Sequence, residues 1–170
     1  MAPYKGYELE NKTVLVTGAN RGIGKALVEA FVEGGAAKVY ASARNIETAQ
    51  PLVAAYPNQV FALQLDLSDP SSIEKAAKEA QDVQILVNNA GVLHRNSALS
   101  EKALSNLKHE LEINVSGYLN VGKFFLMRNR CKIAVNFPFV FFFFGQFFCQ
   151  MSQLYLSSAT QLAKSIPGMN

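Results

Sequence analysis

The chain has 170 residues, 49% of them apolar and 17% charged, with a formal net charge of +3. This length and composition suit one ordinary globular domain with a real core and exclude intrinsic disorder. The lysines and arginines are scattered, which excludes a basic surface tracking a phosphate backbone, so no nucleic-acid partner is expected.

The N-terminal stretch MAPYKGYELENK lacks the apolar centre of a signal peptide. Cys131 and Cys149 have neither metal-ligand spacing nor the partners of a disulfide framework. On both features a reducing, cytoplasmic setting is expected. His94 and His109 have no companion ligands at metal spacing, so loop or surface roles are expected and no metal is assigned.

From Thr13 onward, short apolar runs alternate with longer runs of helical period, the pattern of a parallel sheet covered by helices on both faces. TVLVT, Thr13 to Thr17, is almost wholly apolar and β-branched, as a strand buried on both faces requires. Ile23, Leu27, Ala30 and Phe31 then recur at helical spacing, and Gly34 and Gly35 offer a left-handed cap. The second strand is predicted over Lys38 to Ser42, a short helix over Ile46 to Ala55, and the third strand over Val60 to Leu65. Asp69-Pro70 sets an N-cap residue before a proline at the first helical position, opening a helix to about Ala80. Gln84 to Asn88 is the fourth strand. Leu104, Leu107, Leu111, Val115, Tyr118, Leu119 and Phe125 mark one face of a long helix ending near Met127. Lys132 to Phe137 is the fifth strand. The expected architecture is therefore α/β: a three-layer, doubly wound parallel sheet of about five strands, with an incomplete C-terminal part. Residues 1–127 form its Rossmann-like domain, and residues 128–170 form a separate, phenylalanine-rich segment, because the composition shifts sharply near Arg128.

The turn TGANRGIG, Thr17 to Gly24, lies directly between the first predicted strand and the first predicted helix. Physics asks for glycines there: Gly18 for the tight turn, Gly22 for close backbone approach to a pyrophosphate, and Gly24 for helix packed closely on strand. The alternative is a glycine-rich turn with no ligand. Together with LDLSD (Leu65 to Asp69), NNAG (Asn88 to Gly91) and INVSG (Ile113 to Gly117), TGANRGIG resembles the motif set of the short-chain dehydrogenase/reductase family. The four stretches follow the family's order, and the resemblance covers about Leu9 to Leu126.

That resemblance implies that Gly18, Gly22, Ile23 and Gly24 hold the pyrophosphate of a dinucleotide. It implies that Asp66 and Leu67 contact the adenine, and that Asn88, Ala90 and Gly91 line the ribose and nicotinamide side. Structural alternatives stand beside these roles: Asp66 as a strand-end turn residue, Asn88 and Asn89 as clamps between strands. Cofactor choice follows from charge. An acid at the end of the second strand would accept from the 2′-hydroxyl of NAD, whereas a cation there suits the 2′-phosphate of NADP. The strand ends YASARN, with Arg44 in place and Arg21 in the glycine turn as a second donor, so NADP is favoured over NAD. The alternative is that both are solvated surface arginines. The implied substrate is a small-molecule carbonyl or alcohol, and copies of the chain are expected to pair through the long helix.

Asn114, in the INVSG match, is implied to hold a water in a proton relay behind a catalytic lysine. The family's proton donor is a tyrosine followed four residues later by that lysine, a spacing that sets both on one helix face, with the ammonium favouring the phenolate. Tyr155 falls about where the tyrosine belongs, but its fourth successor is Ala159. Lys164 is nine residues on, about 900° of turn at ~100° per residue, and so points to the opposite side of any shared helix. Tyr118 and Lys123, five apart inside the long helix, do not form the pair. Ser157 and Ser158 follow Tyr155 instead of preceding it. An inactive nucleotide-binding remnant, or the product of a truncated or mispredicted gene, is therefore the alternative to an active oxidoreductase.

FPFVFFFFGQFFCQ, Phe137 to Gln150, holds eight of the chain's twelve phenylalanines. Asn136, Pro138, Gly145 and Gln146 interrupt it below the ~20 apolar residues of a membrane span. Phenylalanine codons are thymine-rich, so the run has the composition of a translated noncoding tract, such as the end of a retained intron; a transcript that skips it and restores a Tyr-x-x-x-Lys is the observation that decides this. Its apolar, β-prone character favours aggregation.

Overall fold

Five short apolar runs form one parallel sheet: β1 (Thr13–Val16), β2 (Lys38–Ala43), β3 (Val60–Gln64), β4 (Ile85–Asn88) and β5 (Ile133–Asn136). The computed structural model describes residues 9–94, 100–128, 131 and 133–136. Tyr155, Lys164 and the phenylalanine run lie outside the described residues. The strand order is β3-β2-β1-β4-β5, and Leu15 of β1 stands in register between Tyr40 of β2 and Leu86 of β4.

Because side chains alternate along a strand, each strand supplies both faces of the sheet. Val14, Val16, Val39, Ala41, Ile85 and Val87 face one way, onto helices α1 (Gly22–Glu33) and α2 (Gln50–Ala55). Leu15, Tyr40, Leu63 and Leu86 face the other way, onto α3 (Pro70–Glu79) and α5 (Tyr118–Arg128). Phe31 of α1 and Phe125 of α5, both fully buried, anchor the two outer layers. The three-layer, doubly wound architecture is as expected.

Local chemistry explains most boundaries. Asp69 caps α3 by accepting from the Ser71 amide at 2.9 Å, and Pro70 opens the helix. Asn45 caps a short 3₁₀ turn, Ile46–Ala49, that feeds α2. The left-handed conformation after α1 belongs to Gly35 alone, at φ +86°, while Gly34 stays at φ −75°. Ile23 is a second departure from the expected pattern. Leu27 and Phe31 are buried, but Ile23 is 58% exposed, because it lies in the first turn of α1, beyond the strands that α1 covers.

The long helix departs furthest. It divides into α4 (Ala103–Leu111), a π-helical stretch Glu112–Gly117, and α5. Leu104, Leu107, Leu111 and Leu119 are exposed, whereas Ile113, Asn114, Gly117, Val121 and Phe125 are buried. The predicted single apolar face is in fact two. The wider i→i+5 turns shift the phase of the helix partway along, which a constant 3.6-residue period does not anticipate. Gly117 also explains why the helix sits so low, since a Cβ there would lie 2.9 Å from both Cβ and O of Leu67.

Among the described residues, no helix is long and apolar enough to cross a membrane.

Candidate functional site

The connections leaving β1 and β4 diverge, because β2 and β3 lie on one side of β1 and β4 and β5 on the other. Such a reversal opens a crevice at the carboxyl ends of the strands. Its floor is Thr17, fully buried, whose Oγ accepts from the amides of Asn89 at 2.9 Å and Ala90 at 3.0 Å. The same hydroxyl lies 3.3 Å from the Val87 carbonyl, to which it donates. Asn89 reaches back, its Nδ2 donating to the carbonyls of Thr17 at 2.9 Å and Gly18 at 3.3 Å. Asn89 is thus a clamp between the two strand ends, the reading its sequence position offered. Thr17 was not singled out, although a hydroxyl between a buried strand and the first glycine was the available signal.

Each glycine of the turn answers a different demand. Gly18 has φ +64°, and a Cβ on it would come within 2.8 Å of the Ala90 Cα. At Gly24 a Cβ would lie 2.2 Å from the Gly18 carbonyl oxygen and 2.6 Å from Asn89 Nδ2. Gly22 is the opposite case: φ is +54°, yet nothing lies within 4 Å of where a Cβ would be. Its side faces open space at the start of α1. The N-cap residue there, Arg21, makes no side-chain hydrogen bond to the helix, and no acidic residue occupies the first turn. The first amides of α1 are therefore free of a side-chain cap, with the positive end of the helix dipole behind them.

Arg21 and Arg44 are both exposed and share a rim. The Ala19 amide donates to the Ser42 carbonyl at 2.9 Å, so the glycine turn is tied to the end of β2 two residues before each arginine. Asp66 accepts at one carboxylate oxygen from the amide and hydroxyl of Ser68, at 2.9 and 2.7 Å, which fits its turn-residue reading. The Leu67 side chain is buried in the core beneath α3 and α5. Any ligand contact of Leu67 therefore falls to its main chain, since packing against Gly117 and the α3 layer holds the side chain inward. Asn88 is buried at the end of β4, opposite Asn136 in the β5 register.

Beyond β4, Ala90 and Gly91 run beneath the helix. Asn114 is buried in the π-helical stretch, its Oδ1 accepting from the Val92 amide at 2.9 Å and its Nδ2 donating to the Val92 carbonyl at 2.8 Å. Its side-chain amide is thus spent on the backbone of Val92, which the sequence did not suggest. The Tyr118 hydroxyl donates to the Ala90 carbonyl, and burial pushes its phenol up to about 12. Lys123 is exposed and lies over the Phe124 ring at 5.9 Å, so it has no part in a pair with Tyr118. His94 and His109 meet edge to face, ring centroids 5.2 Å apart, although nothing in their spacing along the chain suggests a contact. Among the described residues, no group of three or more His, Cys, Asp or Glu side chains is arranged to hold a metal ion.

The sequence and the fold both find relatives. The description "short chain dehydrogenase" matches residues 12–130. The "Short chain dehydrogenase pigC" of Monascus ruber is 34% identical over 131 residues, covering 70% of this chain and 43% of that protein. The 3-oxoacyl-[acyl-carrier-protein] reductase FabG of Vibrio cholerae is 36% identical over 121 residues, covering 68% and 48%. A crystal structure of a short chain dehydrogenase from Burkholderia cenocepacia, in complex with NADP, superposes with a TM-score of 0.68 at 32% identity, covering 76% of this chain and 54% of that one. The chain spans about half the length of the curated relatives it matches. With its crevice, its glycine turn and these matches in agreement, the chain belongs to the short chain dehydrogenase family of oxidoreductases.

Proposed function

We propose that the crevice between β1 and β4 binds NADP(H), in a chain descended from enzymes that interconvert carbonyls and secondary alcohols. The observation that carries this reading is Gly22: open space where a side chain would stand, directly over the uncapped first turn of α1. A pyrophosphate fits there, held by main-chain amides of the Gly18–Gly24 turn and by the helix dipole. Arg21 and Arg44, on one rim, offer two cations to a 2′-phosphate, and no acid stands at the end of β2 to prefer a 2′-hydroxyl. Asp66 and the Leu67 main chain would border the adenine, and Asn88, Ala90 and Gly91 the nicotinamide side. The bound cofactor would supply the hydride.

The second reading, binding without turnover, is favoured by the proton donor. None of the six tyrosines in the 170 residues is followed four positions later by a lysine. Tyr118, which the fold brings to the crevice, is held up to about 12 and donates to the Ala90 carbonyl. A phenol so engaged is a poor acid for an alkoxide. On this reading residues 128–170, whose β5 joins the sheet beside β4, are a remnant of the catalytic region that follows the binding domain of residues 1–127, in a reducing cytoplasmic setting.

Titration of the purified chain with NADPH and NADH, followed by nicotinamide fluorescence, tests the site. NADPH is expected to bind more tightly than NADH, and Arg44→Ala to remove about tenfold of that preference, the scale of one charge-assisted phosphate contact. No NADPH consumption above a blank is expected with a panel of ketones and quinones. Equal affinity for both cofactors would sink the assignment to NADP, and measurable reduction would overturn the reading without turnover.

The outward leucines supply the proposed partner. Leu104, Leu107 and Leu119 are 64%, 46% and 70% exposed on the helix through which family members would pair. Burial of such a stripe is worth ~25 cal/mol per Å², enough for a second copy of the helix to cover it. Light scattering is expected to show a dimer that Leu104→Glu with Leu107→Glu converts to monomer; a monomeric parent chain would refute the pairing.

A further inference from the structure

Residues 110, 114 and 118 contact residues 94, 92 and 90 in turn. Glu110 Oε1 accepts from the His94 amide at 2.5 Å and lies 3.3 Å from His94 Nδ1. Asn114 pairs with both main-chain polar groups of Val92, and Tyr118 donates to the Ala90 carbonyl. Every fourth helical residue therefore meets every second residue of an extended segment running in the opposite direction.

Geometry makes this match. Four helical residues rise ~6 Å, and two extended residues advance ~6.6 Å. In a regular α-helix the three contact points would drift by about 80° over eight residues, at 3.6 residues per turn. The π-helical stretch Glu112–Gly117 falls between Glu110 and Tyr118, and its wider turn reduces that drift. It keeps the three side chains aligned along one segment.

We infer that Glu110 and Tyr118 are positioning residues, which together with Asn114 hold Ala90–His94 extended and so set the nicotinamide side of the crevice. The inference rests on the reading that the crevice takes NADP(H). Ala90 and Gly91 have no fixed partner in a strand, since β4 ends at Asn88. Thr17 holds the Ala90 amide from one side and Tyr118 holds its carbonyl from the other, so the peptide groups flanking Ala90 are fixed between the two. Gly91 lies close against the same side chains: a Cβ on it would sit 3.2 Å from Asn114 Oδ1, a tight contact, and 3.6 Å from the Tyr118 hydroxyl oxygen, an ordinary one.

The test compares two ligands on the full chain: NADPH, and adenosine 2′,5′-bisphosphate, which lacks the nicotinamide half. Tyr118→Phe and Glu110→Ala are expected to weaken NADPH about threefold to tenfold, the scale of one hydrogen bond, and to leave the bisphosphate unchanged. Glu110→Gln keeps an acceptor for the His94 amide and is expected to restore NADPH affinity. Amide hydrogen exchange, read without ligand, is expected to quicken at Val92 and His94 in Tyr118→Phe and Glu110→Ala but not in Glu110→Gln. Equal weakening of both ligands would show a merely structural role, and unchanged NADPH affinity would show none; either overturns the inference. A parent chain that binds the bisphosphate but whose NADPH affinity is insensitive to both variants defeats the inference alone. A parent chain that binds neither ligand defeats the nucleotide reading and the inference together.

Discussion

Gly24→Ala is expected to destabilise the protein by about 2 to 3 kcal/mol, the upper range for forcing extra volume into a packed site. The new Cβ would land 2.2 Å from the Gly18 carbonyl oxygen and 2.6 Å from Asn89 Nδ2. Neither is the tip of a flexible side chain, because Asn89 is itself bonded to the carbonyls of Thr17 and Gly18. The first turn of α1 must therefore move away from the Gly18 carbonyl and Asn89, carrying its uncapped amides with it, and NADPH affinity should fall with stability. Gly22→Ala is the internal comparison. It meets no atom within 4 Å and has only its φ of +54° to strain it, so its cost is expected to be about 1 to 2 kcal/mol. Its Cβ fills the space proposed for the pyrophosphate, so binding should suffer more than folding. Thermal melts and NADPH titrations of both variants separate the effects. A Gly24→Ala protein as stable as its parent would mean that the helix start is not so closely packed on the glycine turn and Asn89.

Thr17→Val is expected to cost about 2 to 4 kcal/mol, since the swap preserves shape but leaves the Asn89 and Ala90 amides without their acceptor. Both donors are half-buried at the crevice floor, where an unpaired amide is costly because water replaces the lost acceptor only in part. Thr17→Ser retains the hydroxyl and should lose only about 1 kcal/mol, for one buried methyl. Urea unfolding midpoints decide between them. If serine destabilises more than valine, the methyl and not the hydroxyl is what holds β1 to β4.

These two residues show where sequence reading succeeds and where it stops. Gly24 was legible because a strand, a turn and a helix in immediate succession leave few ways to pack, and glycine spacing reports the closest approach. Thr17 was not, because its partners are the amides of residues more than seventy positions away. Asn114 shows the same limit. Mid-helix asparagine has no local signature, and only the approach of Val92 shows that both ends of its side-chain amide are engaged.

The leucines of the long helix mark a different limit. Their spacing correctly signalled a helix, yet it joined into one face residues that are exposed before the π-helical stretch and buried after it, such as Leu104 and Phe125. Periodicity counts residues per turn and assumes the count is constant.

By itself, the sequence determined the class of fold, the order of its elements and the glycine turn, because burial patterns and backbone freedom are local properties carried by short windows. Tertiary structure alone decided which strands became neighbours, how Thr17 and Asn89 stitch the crevice, and how Glu110, Asn114 and Tyr118 line up on residues 90–94. Those depend on hydrogen-bonding groups distant in the chain, whose buried donors and acceptors are satisfied only once the layers have packed.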